Sequence, residues 1–222
     1  MTEDYPIKLK VEDRVAHFIL DKPPENRMNK RFLECMCGAI HALKCMDIGA
    51  IVIYGSGRHF SAGADVDYIK NSVMQNHDGG KDAEEGILTH TRYLRALETL
   101  EVPSIAAING LCMGSGLEIA LACDIRIFSG NSLLGSPELS WGIITGLGGS
   151  LRLERLIGRA RAKEMLLRGD VLSGEEAYGI GLVNKVVGRK EVLQHALNMA
   201  KLFAQKERSG LNALMKSTSF LR

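Results

Sequence analysis

The sequence predicts an α/β protein, and three observations lead there. Short unbroken apolar runs, Ile51–Tyr54 and Ile105–Ile108, have the length of strands covered on both faces. Between such runs the apolar residues take helical spacing, with Phe32, Leu33, Met36, Ala39, Ile40 and Leu43 along one side. Glycine-rich turns join strand to helix at 55–65 and 110–116. Strands that alternate with helices in this way build layered α/β folds.

Taken in order, residues 6–20 alternate around Val11-Glu-Asp-Arg14, the pattern of a hairpin. Lys22-Pro-Pro-Glu-Asn26 ends it. A helix is expected from Lys30 to Met46, then the strand Ile51–Tyr54. The junction Gly55-Ser-Gly-Arg-His-Phe-Ser-Ala-Gly-Ala-Asp65 could present backbone N–H groups around Gly63 and Ala64, or be an ordinary loop. Residues 71–86 are polar and rich in turn formers, which suggests a mobile surface loop. A helix over 88–100 follows, with Leu88, Tyr93, Leu94, Leu97 and Leu100 on one side. Pro103 opens the next strand. Further strands are expected at Asp124–Phe128, Leu133–Leu134 and Asn184–Val187. Helices are expected over 151–168, 173–179, 190–206 and 210–218. The expected division is a core over 1–187 and a helical C-terminal segment over 188–222.

Composition narrows the class. A chain of 222 residues with 45% apolar content can bury a single core. The 28 basic and 26 acidic residues nearly cancel, which argues against a nucleic-acid or anionic-membrane partner. Cys35, Cys37, Cys45, Cys112 and Cys123 are odd in number and lie mostly in apolar segments. They read as reduced core thiols of a cytoplasmic protein. The histidines are scattered and form no metal-ligand pattern, so no metal is expected. No run has the length of a membrane span.

The stretch from Ile105 to Asp124 carries the chemistry. It reads as a strand, the turn Gly114-Ser-Gly116, and an apolar helix with Glu118 in its first turn. The first N–H groups of a helix have no intrahelical partner and attract negative charge. A carboxyl beside them in apolar surroundings suits acid–base chemistry next to an oxyanion. The same pattern would arise if the glycines only permitted close packing and Glu118 faced water. A second carboxylate, Glu138, lies in the glycine-dense loop 135–149, near the single tryptophan, Trp141.

Together these pieces resemble the crotonase (enoyl-CoA hydratase/isomerase) superfamily. The matching segments are Phe60-Ser-Ala-Gly-Ala-Asp65, Ile105-Ala-Ala-Ile-Asn-Gly110, Gly114-Ser-Gly-Leu-Glu118, Cys123-Asp124, Gly135-x-Pro-Glu138, Gly146-x-Gly-Gly149, Arg152-Leu and Leu172-Ser-x-x-Glu-Ala-x-x-x-Gly-Leu-Val183. The resemblance runs from about residue 7 to the end. It implies a spiral of β-β-α turns with a helical C-terminal region, and a homotrimer or hexamer. It implies a coenzyme A thioester as substrate and no separate cofactor. An oxyanion hole would fall on the N–H groups of Ala64 and Ser115, with Glu118 and Glu138 as the acid–base pair. Arg27, Ala62, Gly63, Asp65, Gly114 and Trp141 would line the substrate site. Retention of both glutamates favours hydration of 2-enoyl-CoA to 3-hydroxyacyl-CoA, or the reverse dehydration, typical of fatty acid metabolism. The alternatives are another reaction of the family, isomerisation or decarboxylation, or a non-catalytic acyl-CoA-binding protein.

Three departures from the family pattern stand out. Asp67 occupies the place of a lysine that helps hold the CoA phosphates, leaving Lys70 or Arg27 to substitute. Thr145 stands where proline is usual. The helices that follow Leu211–Lys216 in the family, and help cover the acyl pocket, are not seen here.

Overall fold

The computed structural model describes residues 5–65, 67, 91 and 94–219. The expected loop at 71–86, Lys70 and the first part of the helix at 88–100 lie outside the described residues. The hairpin forms as expected from β1 (Ile7–Glu12) and β2 (Val15–Leu20), paired antiparallel from Ile7↔Leu20 to Glu12↔Val15. Asp13 and Arg14 both turn with positive φ, 51° and 60°, and turns of that hand match the twist of the two strands. Helix α1 (Lys30–Leu43) starts at Asn29, whose side chain accepts the Phe32 N–H at 3.0 Å. It ends three residues before the expected Met46, where the backbone tightens into a turn.

Strands β3 (Ala50–Gly55), β4 (Ser104–Ile108), β6 (Ile125–Ser129) and β9 (Lys185–Val187) extend the hairpin into one sheet of order β1-β2-β3-β4-β6-β9. Every pairing after the first is parallel. Between these strands the chain steps out to a second sheet, made of β5 (Leu111–Met113), β7 (Leu133–Gly135) and β8 (Val171–Ser173). One spiral turn therefore runs β4, β5, then helix α2 (Ser115–Ala122), and the next begins β6, β7.

Burial on both faces explains the unbroken apolar runs. One face carries Ala16, Phe18, Ile51, Ile53, Ala106, Ile108 and Phe128 into the main core with α1 and α2. The other carries Val15, Ala50, Val52, Ile105, Ala107 and Ile127 against helix α6 (Val192–Ala204). Ala196, Ala200 and Ala204 give α6 a flat side that can approach the sheet closely. Residues grouped with the C-terminal segment on sequence thus pack directly on the sheet. Each large side chain fully removed from water contributes about 1.5–3 kcal/mol.

Two sequence expectations are corrected. The helix expected over 151–168 is two, α3 (Gly149–Ile157) and α4 (Arg159–Arg168), because Gly158 breaks it with φ 80°. Of the supposed core thiols only Cys112 and Cys123 are buried; Cys45 is exposed and Cys35 and Cys37 are half-buried. Further helices are α5 (Gly174–Gly179), closed at its start by a Ser173–Glu176 capping box, and α7 (Arg208–Ser219).

Candidate active site

Helix α2 is the centre of the site, and its sequence is apolar because every residue from Gly116 to Ala122 is buried. Its C-terminal end is held by the buried Arg126, whose Nη1 donates to the carbonyls of Cys123 (2.6 Å) and Ala120 (3.3 Å). A cation there satisfies carbonyls that the helix leaves open. Its N-terminal end is set by Gly114, with φ 50° and ψ −122°, a conformation that residues with a Cβ rarely adopt.

The two glycine turns are locked together. Ser61 bridges to Cys112, with the Ser61 N–H donating to Leu111 and the Met113 N–H donating to Ser61. The Ser61 hydroxyl donates to the Asn26 carbonyl (2.8 Å) and accepts the Gly63 N–H (3.1 Å). Gly63, φ 90°, faces Gly114 so closely that a Cβ on Gly63 would stand 3.8 Å from the Gly114 Cα. Met28 bonds to Gly63 and Asp65 on either side of Ala64, which turns the Ala64 N–H the other way. Ser115, the first residue of α2, has no intrahelical acceptor for its own N–H. Among the described residues neither N–H has an acceptor. Two unpaired donors therefore leave adjacent backbone turns.

Glu118 is 2% exposed, so the exposed alternative does not hold. Its Oε1 accepts two backbone N–H groups, from Leu147 and Gly149, each at 2.8 Å. Gly149 is needed for this approach, since a Cβ there would stand 2.8 Å from the Glu118 Cγ. Burial pushes the Glu118 carboxyl up to about 7, against the pull of those two donors, and the nearby Glu138 adds to the rise. Glu138 opens a short 3-10 turn (Glu138–Trp141) after β7. Its Oε1 lies 2.9 Å from where a Gly114 Cβ would be. Glu138 Oε1 and the Gly63 turn thus both lie against Gly114, and Glu118 sits in the first turn of the helix that Gly114 opens.

The loop that grips Glu118 is held from behind, and sequence reasoning saw only the Arg152-Leu fragment of that support. Arg152 makes a two-pronged ion pair with Glu98, at 2.8 and 3.0 Å, and also donates to the Leu147 carbonyl. Thr145, the departure from proline, is buried and its Oγ1 accepts the Ser150 N–H at 3.1 Å at the start of α3. No sequence motif announced that hydroxyl.

The expected substrate-binding residues are placed unevenly. Ala62, Gly63, Asp65 and Gly114 belong to the two turns just described. The Ala62 N–H donates to the Glu25 carbonyl, and Asp65 accepts the Asp67 N–H at 3.0 Å. Arg27 pairs with Glu25 at 2.6 Å and reaches the Ala64 carbonyl at 3.5 Å, beside the free N–H. Asp67 is exposed. Trp141 is 63% exposed and no interaction ties it to the carboxyl pair among the described residues. Burial pushes the Cys112 thiol far up and that of Cys123 to about 12, so neither is a thiolate nucleophile at neutral pH. Among the described residues no group of three or more His, Cys, Asp or Glu is suited to hold a metal ion.

Comparison with known proteins gives a consistent picture. Residues 10–220 match the family described as enoyl-CoA hydratase/isomerase. A probable enoyl-CoA hydratase of Bacillus subtilis (strain 168) is 38% identical over 95% of this chain and 80% of that protein. A crotonyl-CoA hydratase of Syntrophomonas wolfei is 38% identical over 87% of this chain and 74% of its own length. Among solved structures, an enoyl-CoA hydratase of Thermoplasma volcanium GSS1 superposes with a TM-score of 0.87 at 27% identity, covering 97% of this chain and 84% of that one.

Proposed function

Because this chain belongs to the enoyl-CoA hydratase/isomerase family, we propose that it adds water to 2-enoyl-CoA thioesters, giving 3-hydroxyacyl-CoA, and catalyses the reverse dehydration. The observation that carries this reading is the pair Glu118 and Glu138 at the turn Gly114–Ser115, where the N–H groups of Ala64 and Ser115 have no acceptor among the described residues. Addition to a conjugated thioester moves charge onto its carbonyl oxygen. Donors of fixed position stabilise that charge without reorganising, and loss of one typically costs about 3 kcal/mol.

In the proposed step Glu118 takes a proton from water as the water oxygen bonds to the β carbon. A carboxyl poised near 7 suits a base at neutral pH. Glu118 Oε1 is occupied by two backbone donors, which leaves Oε2 for the water. Glu138 gives its proton to the α carbon as the enolate collapses. One water is consumed, the double bond becomes single, and proton return from Glu118 to Glu138 through solvent resets the pair. Coenzyme A enters as part of the substrate. Arg27, whose Nη1 reaches the Ala64 carbonyl, is our candidate to hold its phosphates where Asp67 replaces the family's lysine.

We further propose a cytoplasmic homotrimer or hexamer. The exposed apolar side chains Leu139, Trp141, Ile144, Leu151 and Leu167 are candidates for burial against a second copy. No helix among the described residues is long and apolar enough to cross a membrane. Light scattering of the purified chain tests the assembly. The activity is tested with crotonyl-CoA, by loss of absorbance at the conjugated thioester band and a mass gain of one water. No turnover across short and medium acyl chains would refute it, while loss of carbon dioxide, or an unchanged mass with a shifted double bond, would point to another reaction of the family.

A further inference from the structure

We propose that Ser136 is a positioning residue for Glu138: its buried hydroxyl holds Oε2 as an acceptor and so assigns proton transfer at the substrate α carbon to Oε1. The proposal rests on the hydration reading above. Ser136 is 3% exposed and follows directly on β7, so its backbone is set by the pairing of Leu134 and Gly135 with Cys112 and Met113. Its Oγ donates to Glu138 Oε2 at 2.7 Å. The other oxygen, Oε1, lies against Gly114, 2.9 Å from the position of a Cβ there, next to the Ser115 donor. The two carboxyl oxygens are therefore not equivalent.

The last torsion of a glutamate side chain is broad and roughly two-fold, so nothing in its covalent structure decides which oxygen faces the site. The Ser136 hydroxyl decides it. With Oε2 accepting, an acid proton on Glu138 sits on Oε1, beside the oxyanion donors. In hydration the Oε1–H bond breaks as the Cα–H bond forms, and the electron pair stays on the carboxylate. In dehydration Oε1 takes the same proton back. Without the hydroxyl the carboxyl samples both orientations and delivers the proton from the wrong oxygen for part of each cycle.

The test compares wild type, Ser136→Ala and Ser136→Thr with crotonyl-CoA in H2O and in D2O. For Ser136→Ala the expectation is a fall in kcat of about tenfold to a hundredfold, the range for loss of a hydrogen bond to an ionisable group. KM should stay within about twofold, because positioning in the transition state lowers kcat and not ground-state binding. The solvent isotope effect on kcat should rise, since proton transfer to the α carbon becomes slower relative to the other steps. Ser136→Thr keeps the hydroxyl and should restore both values toward wild type. A general loss of folded enzyme would lower the apparent kcat without moving the isotope effect. An unchanged kcat in Ser136→Ala, or a lower kcat with an unchanged isotope effect, overturns the assignment. Absence of turnover by wild type would instead overturn the hydration reading, and this proposal with it.

Discussion

Glu118→Gln should stabilise the protein, and by an amount that depends on pH. The amide keeps the shape of the side chain and an oxygen for the Leu147 and Gly149 N–H groups, but it cannot ionise. In the folded wild type the carboxyl titrates at about 7, against an ordinary value of 4.5. At about 1.4 kcal/mol per unit, that difference comes to about 3 kcal/mol. The folded pKa lies above the unfolded one, so the unfolded chain releases its proton first as pH rises. The stability associated with the neutral carboxyl is whole below 4.5, is lost progressively up to about 7, and stays lost above it. Wild type and variant should therefore match at pH 4 and diverge to about 3 kcal/mol by pH 8. Urea unfolding at a series of pH values reads this directly, as a midpoint that shifts at constant slope. Equal pH dependence of the two proteins would refute the claim that burial raises the Glu118 carboxyl to about 7. The same substitution should abolish hydration, which would make it a trade of activity for stability.

Other consequences are as direct. The pH profile of kcat/KM should rise with unit slope and level off near pH 7 as Glu118 becomes a base; a flat profile from pH 5 to 9 would contradict that role. Gly114→Ala would put a methyl group 2.9 Å from Glu138 Oε1 at a backbone φ of 50°, so hydration should fall by at least about a hundredfold with the fold retained by circular dichroism; near-normal turnover would show that the two turns are not under this constraint. Glu98→Ala leaves Arg152, whose side chain is 7% exposed, without its partner, and should cost about 3–5 kcal/mol in urea unfolding; a loss below 1 kcal/mol would mean the pair is dispensable. Thr145→Val removes the acceptor for the Ser150 N–H and should cost about 1 kcal/mol, whereas Thr145→Ser should cost less; equal losses would assign the effect to packing.

Much of the fold was legible because its determinants are local. The apolar runs at 51–54 and 105–108 announced buried strands, and the period from Phe32 to Leu43 announced α1. Glycines marked the turns, since only they take the φ values at 63 and 114 without strain. Where local signals misled, the reason was also physical. Residues 151–168 have uniform helical composition, and one positive-φ glycine at 158 divides them. Cys45 sits near apolar neighbours in sequence but beyond the end of α1, where the chain turns outward.

The sequence by itself determined which residues could do the chemistry: a glycine turn opening an apolar helix with Glu118, and a second carboxyl at Glu138. It did so because residue type and near-neighbour spacing survive in one dimension. Only the tertiary structure decided that Glu118 is buried and titrates near 7, that Leu147 and Gly149 grip it, and that Glu138 rests against Gly114 with Ser136 behind it. Desolvation and hydrogen-bond direction are properties of the space around a group. Around Glu118 that space is filled by residues distant along the chain, 29 positions away for Leu147 and 31 for Gly149.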